Sequence, residues 1–165
     1  MNIYYDEFIN IDGNEIHNTA IINDNVKLGR GNRIGAYCVI GTSGKIREAD
    51  PETFKGEVVI GHDNDIGEMT IISTPVKKGE KTTIGDNNLI MQRVSIGHNS
   101  TIGNNCEICV GAIIAGHAVI KDRVKIKIGA MIRNRITINS DVLIGMGAVV
   151  VDDIKNGKVW GNPAK

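Results

Sequence analysis

Aromatic residues are scarce in this chain, 4% of its 165 residues, so its interior is not organised around large rings. Net charge is missing too. Nineteen Lys and Arg balance nineteen Asp and Glu, which makes nucleic acid a poor partner, because phosphate contacts draw on a basic excess. No apolar run approaches the roughly 18 residues of a membrane-spanning helix. The N-terminus also lacks the basic, apolar, small-residue order of a secretory signal. A soluble, cytoplasmic protein without membrane insertion is expected, and its length suits one domain. Cysteine is limited to Cys38, Cys106 and Cys109, too few for a disulfide framework.

What the chain has in quantity is a period of six. From Ile84 an aliphatic residue falls on every sixth position through Ile90, Ile96, Ile102 and onward to Ile144 and Val150. The same beat runs through Ile16, Ile22, Leu28, Ile34 and Ile40, and again through Ile60, Ile66 and Ile72. Neither a helix nor an ordinary strand has this period. Hexapeptide repeats read as a parallel β-helix: three hexads make a triangular coil, and coils stack at the ~4.8 Å sheet spacing. The aliphatic residue points into a narrow interior. A second inward position four residues later holds small or β-branched residues such as Val94, Ser100, Cys106, Ala112 and Ala118. The residue after the aliphatic one is often Gly, read as a corner that needs backbone freedom. Cys38 and Cys106 occupy the small inward position and Cys109 a corner, so the Cys106-x-x-Cys109 spacing reads as packing rather than as a metal or redox pair.

The expected fold is thus all-β, a parallel β-helix of six to seven coils with two loop insertions. It is a single domain over 1–165, with a lead-in cap at 1–15, coils over 16–154 and a tail at 155–165. The lead-in, with Tyr4, Tyr5 and Phe8, should cover the open edge of the first coil. The insertions, 47–57 (READPETFKGE) and 75–82 (PVKKGEKT), leave the prism as polar loops, and grafted loops are where function concentrates. Asp50 and Phe54 in the first and Ser73 beside the second are the substrate-binding candidates.

The stretch NNLIMQRVSIGHNSTIGNNCEICVGAIIAGHAVI (87–120) resembles the central coils of the UDP-N-acetylglucosamine O-acyltransferases of lipid A synthesis. It is also similar to the N-acetyltransferases of nucleotide-linked amino sugars. The resemblance extends to IHNTAIINDNVKLGRGNRIGAYCVIG (16–41) and to the FKGE and KGEKTTIGDNN segments, while VVVDDIKNGKVWGNPAK (149–165) is similar to the ending of acetyl-CoA-dependent hexapeptide acetyltransferases. It implies a left-handed helix, an exception to the usual crossover hand, and a homotrimer with sites between subunits.

The same resemblance makes His98 the general base, a role suited to an imidazole whose ordinary pKa is ~6.5. Its position two residues after an inward Ile should turn the ring outward. Gly116, eighteen residues on and so one coil up, is implied as the oxyanion donor through its backbone N–H. Asn99 replaces the aspartate that follows the histidine in the lipid A enzymes; it can orient the ring but brings no charge to it. His117 is implied in the acyl pocket, with a bond to Asn99 as the structural alternative. Ala115 leaves room for the acyl group. Lys121, Arg123 and Arg133, in a basic run that continues to Arg135, are candidates for coenzyme A phosphates, with Lys165. The lipid A enzymes' helical C-terminal domain and about two of their early coils have no counterpart in this sequence.

The reading that follows is acetyl transfer from acetyl-CoA to an amino or hydroxyl group of a nucleotide-linked sugar, with no metal required. Its rival is O-acylation of UDP-N-acetylglucosamine from an acyl carrier protein thioester. A zinc-dependent carbonic anhydrase on this fold needs two histidines five residues apart, and none of the four is so placed. A non-catalytic β-helical scaffold would show regular Thr or Ser columns, whereas the corners here are irregular.

Overall fold

The computed structural model describes residues 7–43, 56–75 and 77–164. The aliphatic positions fall on three parallel sheets, of nine, seven and six strands among the described residues. The first carries Ile90, Ile108 and Ile126, the second Ile96, Ile114 and Ile132, and the third Ile84, Ile102 and Ile120, each stacked directly on its equivalent in the next coil. The columns are sealed: Ile96, Ile108, Ile120 and Ile126 are fully buried, and burying such a side chain contributes about 1.5–3 kcal/mol. Val94, Ser100, Cys106, Ala112 and Ala118 fill the second inward position as expected. The three cysteines are free thiols.

Both interruptions open at one corner. Ile40 and Ile72 lie on the second sheet, the next aliphatic residues, Ile60 and Ile84, on the third, and Leu28 pairs with Ile60 and Ile60 with Ile84. Each insertion therefore rejoins the prism in register on the third sheet, although the strand before the first one is bulged between Ile40 and Thr42. Their limits differ from the sequence reading. Glu57–Ile60 and Lys81–Ile84 are strands that pair with each other, so Glu57, Lys81 and Thr82 belong to the wall. Asp50 and Phe54, like Tyr4, Tyr5 and Lys165, lie outside the described residues.

Two readings of the corners need correction. The residue that adopts a left-handed φ is the third after the aliphatic one, as at Asn99 (φ 61°) and His117 (φ 62°). The other glycines immediately after the aliphatic residues serve close stacking instead, Gly41 (φ 87°) being the exception: a Cβ on Gly97 would stand 2.6 Å from the backbone nitrogen of Gly116 in the coil above. The second inward position is also not always apolar. In the early coils it holds Asn14, Asn32, Asn64 and Asn88, almost fully buried, each accepting from the next and donating to a corner carbonyl such as Gly61 or Gly85.

At the N-terminal end Phe8–Ile11 pairs antiparallel with Asn14–His17 and ends the first sheet. At the other end the coil continues past 154. Ile154 bridges to Ile138, and Lys158–Val159 adds a strand beside Leu143–Ile144, with the Trp160 ring lying over Gly145. Most of the expected tail is thus a last, irregular turn of the wall.

Candidate active site

The corner between the second and third sheets gathers the chemistry. Because one coil takes eighteen residues, His98, Gly116 and Asn134 stack in one line along it, with Asn99, His117 and Arg135 beside them, and both insertions emerge from the same corner in the coils below. Gly116 abuts the His98 ring so closely that a Cβ there would come within 2.7 Å of Nε2. The His98 and His117 rings meet edge to face, 5.1 Å between centroids, a favourable aromatic geometry.

The tautomer of His98 follows from its neighbours. Asn99 Nδ2 donates to the Glu80 carboxylate at 2.7 Å, so Oδ1 is the atom that faces His98 Nδ1 at 3.0 Å. An amide oxygen only accepts, so Nδ1 carries the hydrogen and Nε2 presents a lone pair beside Gly116. Asn99 is anchored from below a second time. Its backbone N–H donates to Thr82 Oγ1 at 2.9 Å, and that hydroxyl donates to the Ser73 carbonyl at 2.9 Å.

Gly116 N–H is available. At the corner between the third and first sheets, the N–H in the same place is capped from the coil above, Asp86 donating to Asn104 Oδ1 and Asn104 to Asp122 Oδ1. Asn134 sits in the capping place over Gly116, yet among the described residues Gly116 N–H has no acceptor. Burial lowers the pKa of His117, reinforced by the charge of Arg135 and by His98. Directly above, Arg133, Asn134, Arg135, Asp152 and Asp153 line an open hollow of about 510 Å³.

The structure divides the basic run. Lys121 and Arg123 turn onto the corner between the third and first sheets, where Arg123 grips Asp141 in a bidentate pair at 2.7 and 2.8 Å. Lys125 and Lys127 converge on Glu107. Arg133 and Arg135 alone of this run reach the His98 corner; charges that are neighbours in sequence are spread around a prism whose direction changes every six residues. Ser73 meets the site through its carbonyl, and Ala115 lies on the corner, its carbonyl accepting from Ser100 Oγ at 3.1 Å. Glu80 and Thr82 were not singled out from sequence. Their signal is the KGEKT segment of the second insertion, but where it lands depends on how the loop closes. Among the described residues, no group of three or more His, Cys, Asp or Glu side chains is placed to hold a metal ion.

The family model of the bacterial transferase hexapeptide (six repeats) covers residues 81–116, the span that holds Thr82, His98, Asn99 and Gly116. The chain is built of hexapeptide repeats and has the left-handed parallel β-helix fold. It is similar to the acyl-[acyl-carrier-protein]–UDP-N-acetylglucosamine O-acyltransferase of Rickettsia peacockii (strain Rustic), 44% identical over 57 residues, which are 34% of this chain and 21% of the relative. The UDP-N-acetylglucosamine acyltransferase of Bacteroides fragilis 9343 has the same fold with a TM-score of 0.87 at 27% identity; the match covers 93% of this chain and 60% of that protein. The acetyltransferase domain of PglB from Neisseria gonorrhoeae FA1090 shares the fold more loosely, with a TM-score of 0.50 at 23% identity over 92% of this chain and 56% of that one.

Proposed function

We propose that this protein is an acyltransferase that moves acetyl from acetyl-CoA to an amino or hydroxyl group of a nucleotide-linked sugar. The observation that carries the reading is the lone pair of His98 Nε2 set against the uncapped N–H of Gly116. In the reaction the acceptor's nitrogen or oxygen bonds to the thioester carbon while its proton passes to Nε2. The carbonyl oxygen gathers charge and accepts from Gly116 N–H. Collapse of the adduct expels the thiolate, which recovers the proton from the imidazolium and leaves as coenzyme A. No metal enters this scheme. A cytoplasmic location goes with it, since both substrates are cytoplasmic metabolites.

The resemblance of residues 149–165 to acetyl-CoA users favours that donor, and Arg133 and Arg135 above His117 are suited to its phosphates. Acetyl-CoA is then expected to support transfer with an affinity that falls as salt rises, because exposed phosphate contacts are screened. Arg133→Ala and Arg135→Ala should raise the Michaelis constant for acetyl-CoA more than they lower turnover, whereas Lys121→Ala, which sits on another corner, should matter less. The second reading, transfer from an acyl carrier protein thioester to UDP-N-acetylglucosamine, is favoured by the activity for which the Rickettsia relative is named. It replaces the first if such thioesters react and acetyl-CoA does not.

A homotrimer belongs to the same proposal. The outer face of the second sheet exposes Ile21, Ile71, Ile113 and Met131 in one line, each more than two-fifths exposed. That stripe borders the His98 corner, so a copy packed on it would bring its own side chains to the site. Light scattering after size exclusion should give three copies at micromolar concentration, and Ile113→Glu should lower both the mass and the activity. A stable, active monomer would remove the shared-site arrangement.

A further inference from the structure

We propose that Glu80, on the loop between the second-sheet strand Ile71–Thr74 and the third-sheet strand Lys81–Ile84, is a positioning residue that sets the tautomer of His98 by clamping the amide of Asn99. Its effect on turnover rests on the acyl-transfer reading above; its effect on the ring does not. The amide of asparagine is nearly symmetric in shape and opposite in chemistry, so either end can face a neighbour unless something chooses. Here the carboxylate of Glu80 chooses. It has no hydrogen to offer, so only the NH₂ end of Asn99 can face it, at 2.7 Å, and the oxygen is left for His98 Nδ1 at 3.0 Å. With the amide reversed, its NH₂ would donate to Nδ1, Nε2 would hold the hydrogen, and the atom beside Gly116 could no longer take a proton from an acceptor. A direct aspartate in place of Asn99 would need no such clamp, since both its oxygens accept.

Glu80 is built into its place. Its N–H donates to the Lys77 carbonyl across the turn at Gly79, whose φ is 83°. Its own carbonyl accepts from Glu57 N–H in the adjoining strand. Thr82, two residues on and fully buried, holds the Asn99 backbone and ties it to Ser73. The loop thus grips the residue after the histidine by both main chain and side chain. Among the described residues, the charged and titratable groups that act on the His117 ring are Lys77 and Glu80 from the loop, His98 from the coil below and Arg135 from the coil above. The net surroundings of the histidine pair are therefore mixed in sign, and the contribution specific to Glu80 is the direction in which it turns the amide.

The test is nitrogen NMR of the histidine-labelled protein at a pH where His98 is neutral, together with steady-state kinetics. Wild type should show His98 protonated on Nδ1. Glu80→Ala should move population to the Nε2-protonated form and lower kcat about ten- to a hundredfold, the usual cost of losing a partner behind a functional histidine, with little change in the Michaelis constants. Glu80→Gln keeps a carbonyl able to accept from the amide and should recover part of both signals. In an Asn99→Asp background, removing Glu80 should cost nothing further, because two carboxylates would face each other there. An unchanged tautomer in Glu80→Ala overturns the proposal, as does an equal loss in both backgrounds, which would mark a loop-folding role. If His98→Ala proved as active as wild type, the acyl-transfer reading would fall, while the ring measurement would still decide what Glu80 does.

Discussion

Replacing His98 with alanine is expected to lower turnover by ~10²–10⁴, the range for losing a general base, while the β-helix remains folded. The ring sits half-buried on a corner and supplies none of the sealed aliphatic columns. Its backbone carbonyl, which accepts from His117 N–H at 2.9 Å, is untouched by the substitution. The Gly116 N–H also stays, so substrates should still bind and a residual rate should survive from positioning and oxyanion stabilisation. The check is kcat beside a circular dichroism melt. A variant that melts like wild type and turns over like wild type would mean the chemistry lies elsewhere, and one that fails to fold would contradict the corner placement. His117→Ala should differ in kind. Its ring, with a pKa lowered by burial, stands edge to face with the base and near the Arg133–Arg135 hollow, so its loss should fall mainly on donor binding.

The largest expected effect on stability comes from Asn64→Ala. Asn64 is the middle rung of the buried asparagine column: its Nδ2 donates to Asn32 Oδ1 and Gly85 O, and its Oδ1 accepts from the backbone and side-chain nitrogens of Asn88, all near 2.9 Å. Truncation strands the Asn88 N–H in the sealed interior and leaves the Gly85 carbonyl, at a part-buried corner, without its donor. Each buried unsatisfied group costs about 1–3 kcal/mol, so a loss of roughly 3–5 kcal/mol is expected, more than most single changes produce. Urea unfolding at fixed protein concentration reads it directly. A loss below about 1 kcal/mol would show that the column contributes packing rather than hydrogen bonding. Higher up the same line Cys106, Val124 and Val142 fill the position without side-chain amides, so Val142→Ala should show only the smaller cost of lost volume.

The comparison between sequence and structure turns on particular residues. The six-residue period was sufficient to place every aliphatic column from Ile84 to Val150, because a buried side chain on a triangular coil has no other period open to it. The phase resets after Ile40 and Ile72 located both insertions to within a few residues, for the same reason. The separation of His98 and Gly116 by one coil also predicted their contact. Apart from Gly41, whose φ is 87°, the glycines after the aliphatic residues owe their place to a different cause from the one their spacing suggests. Backbone freedom is used at Asn99 and His117, whereas Gly97 is small because the next coil's backbone passes 2.6 Å from where its Cβ would be. Close approach between coils leaves no trace in local sequence. The asparagine column was equally hidden, since an inward amide is tolerable only when its partners in the coils above and below are known.

The sequence by itself therefore determined the prism, its core and the two residues that face each other across one coil, since these depend only on counting along a regular repeat. The tertiary structure alone decided which charges share a corner. Arg133 and Arg135 join His98, while Lys121 and Arg123 turn onto another corner, where Arg123 pairs with Asp141, because neighbours in the chain point in three directions around the axis. It also decided that the loop ending at Glu80 returns to the residue beside the histidine. The closure of an irregular segment is set by the hydrogen bonds available where it lands, here the Asn99 amide and the Thr82 hydroxyl, and no periodicity encodes them.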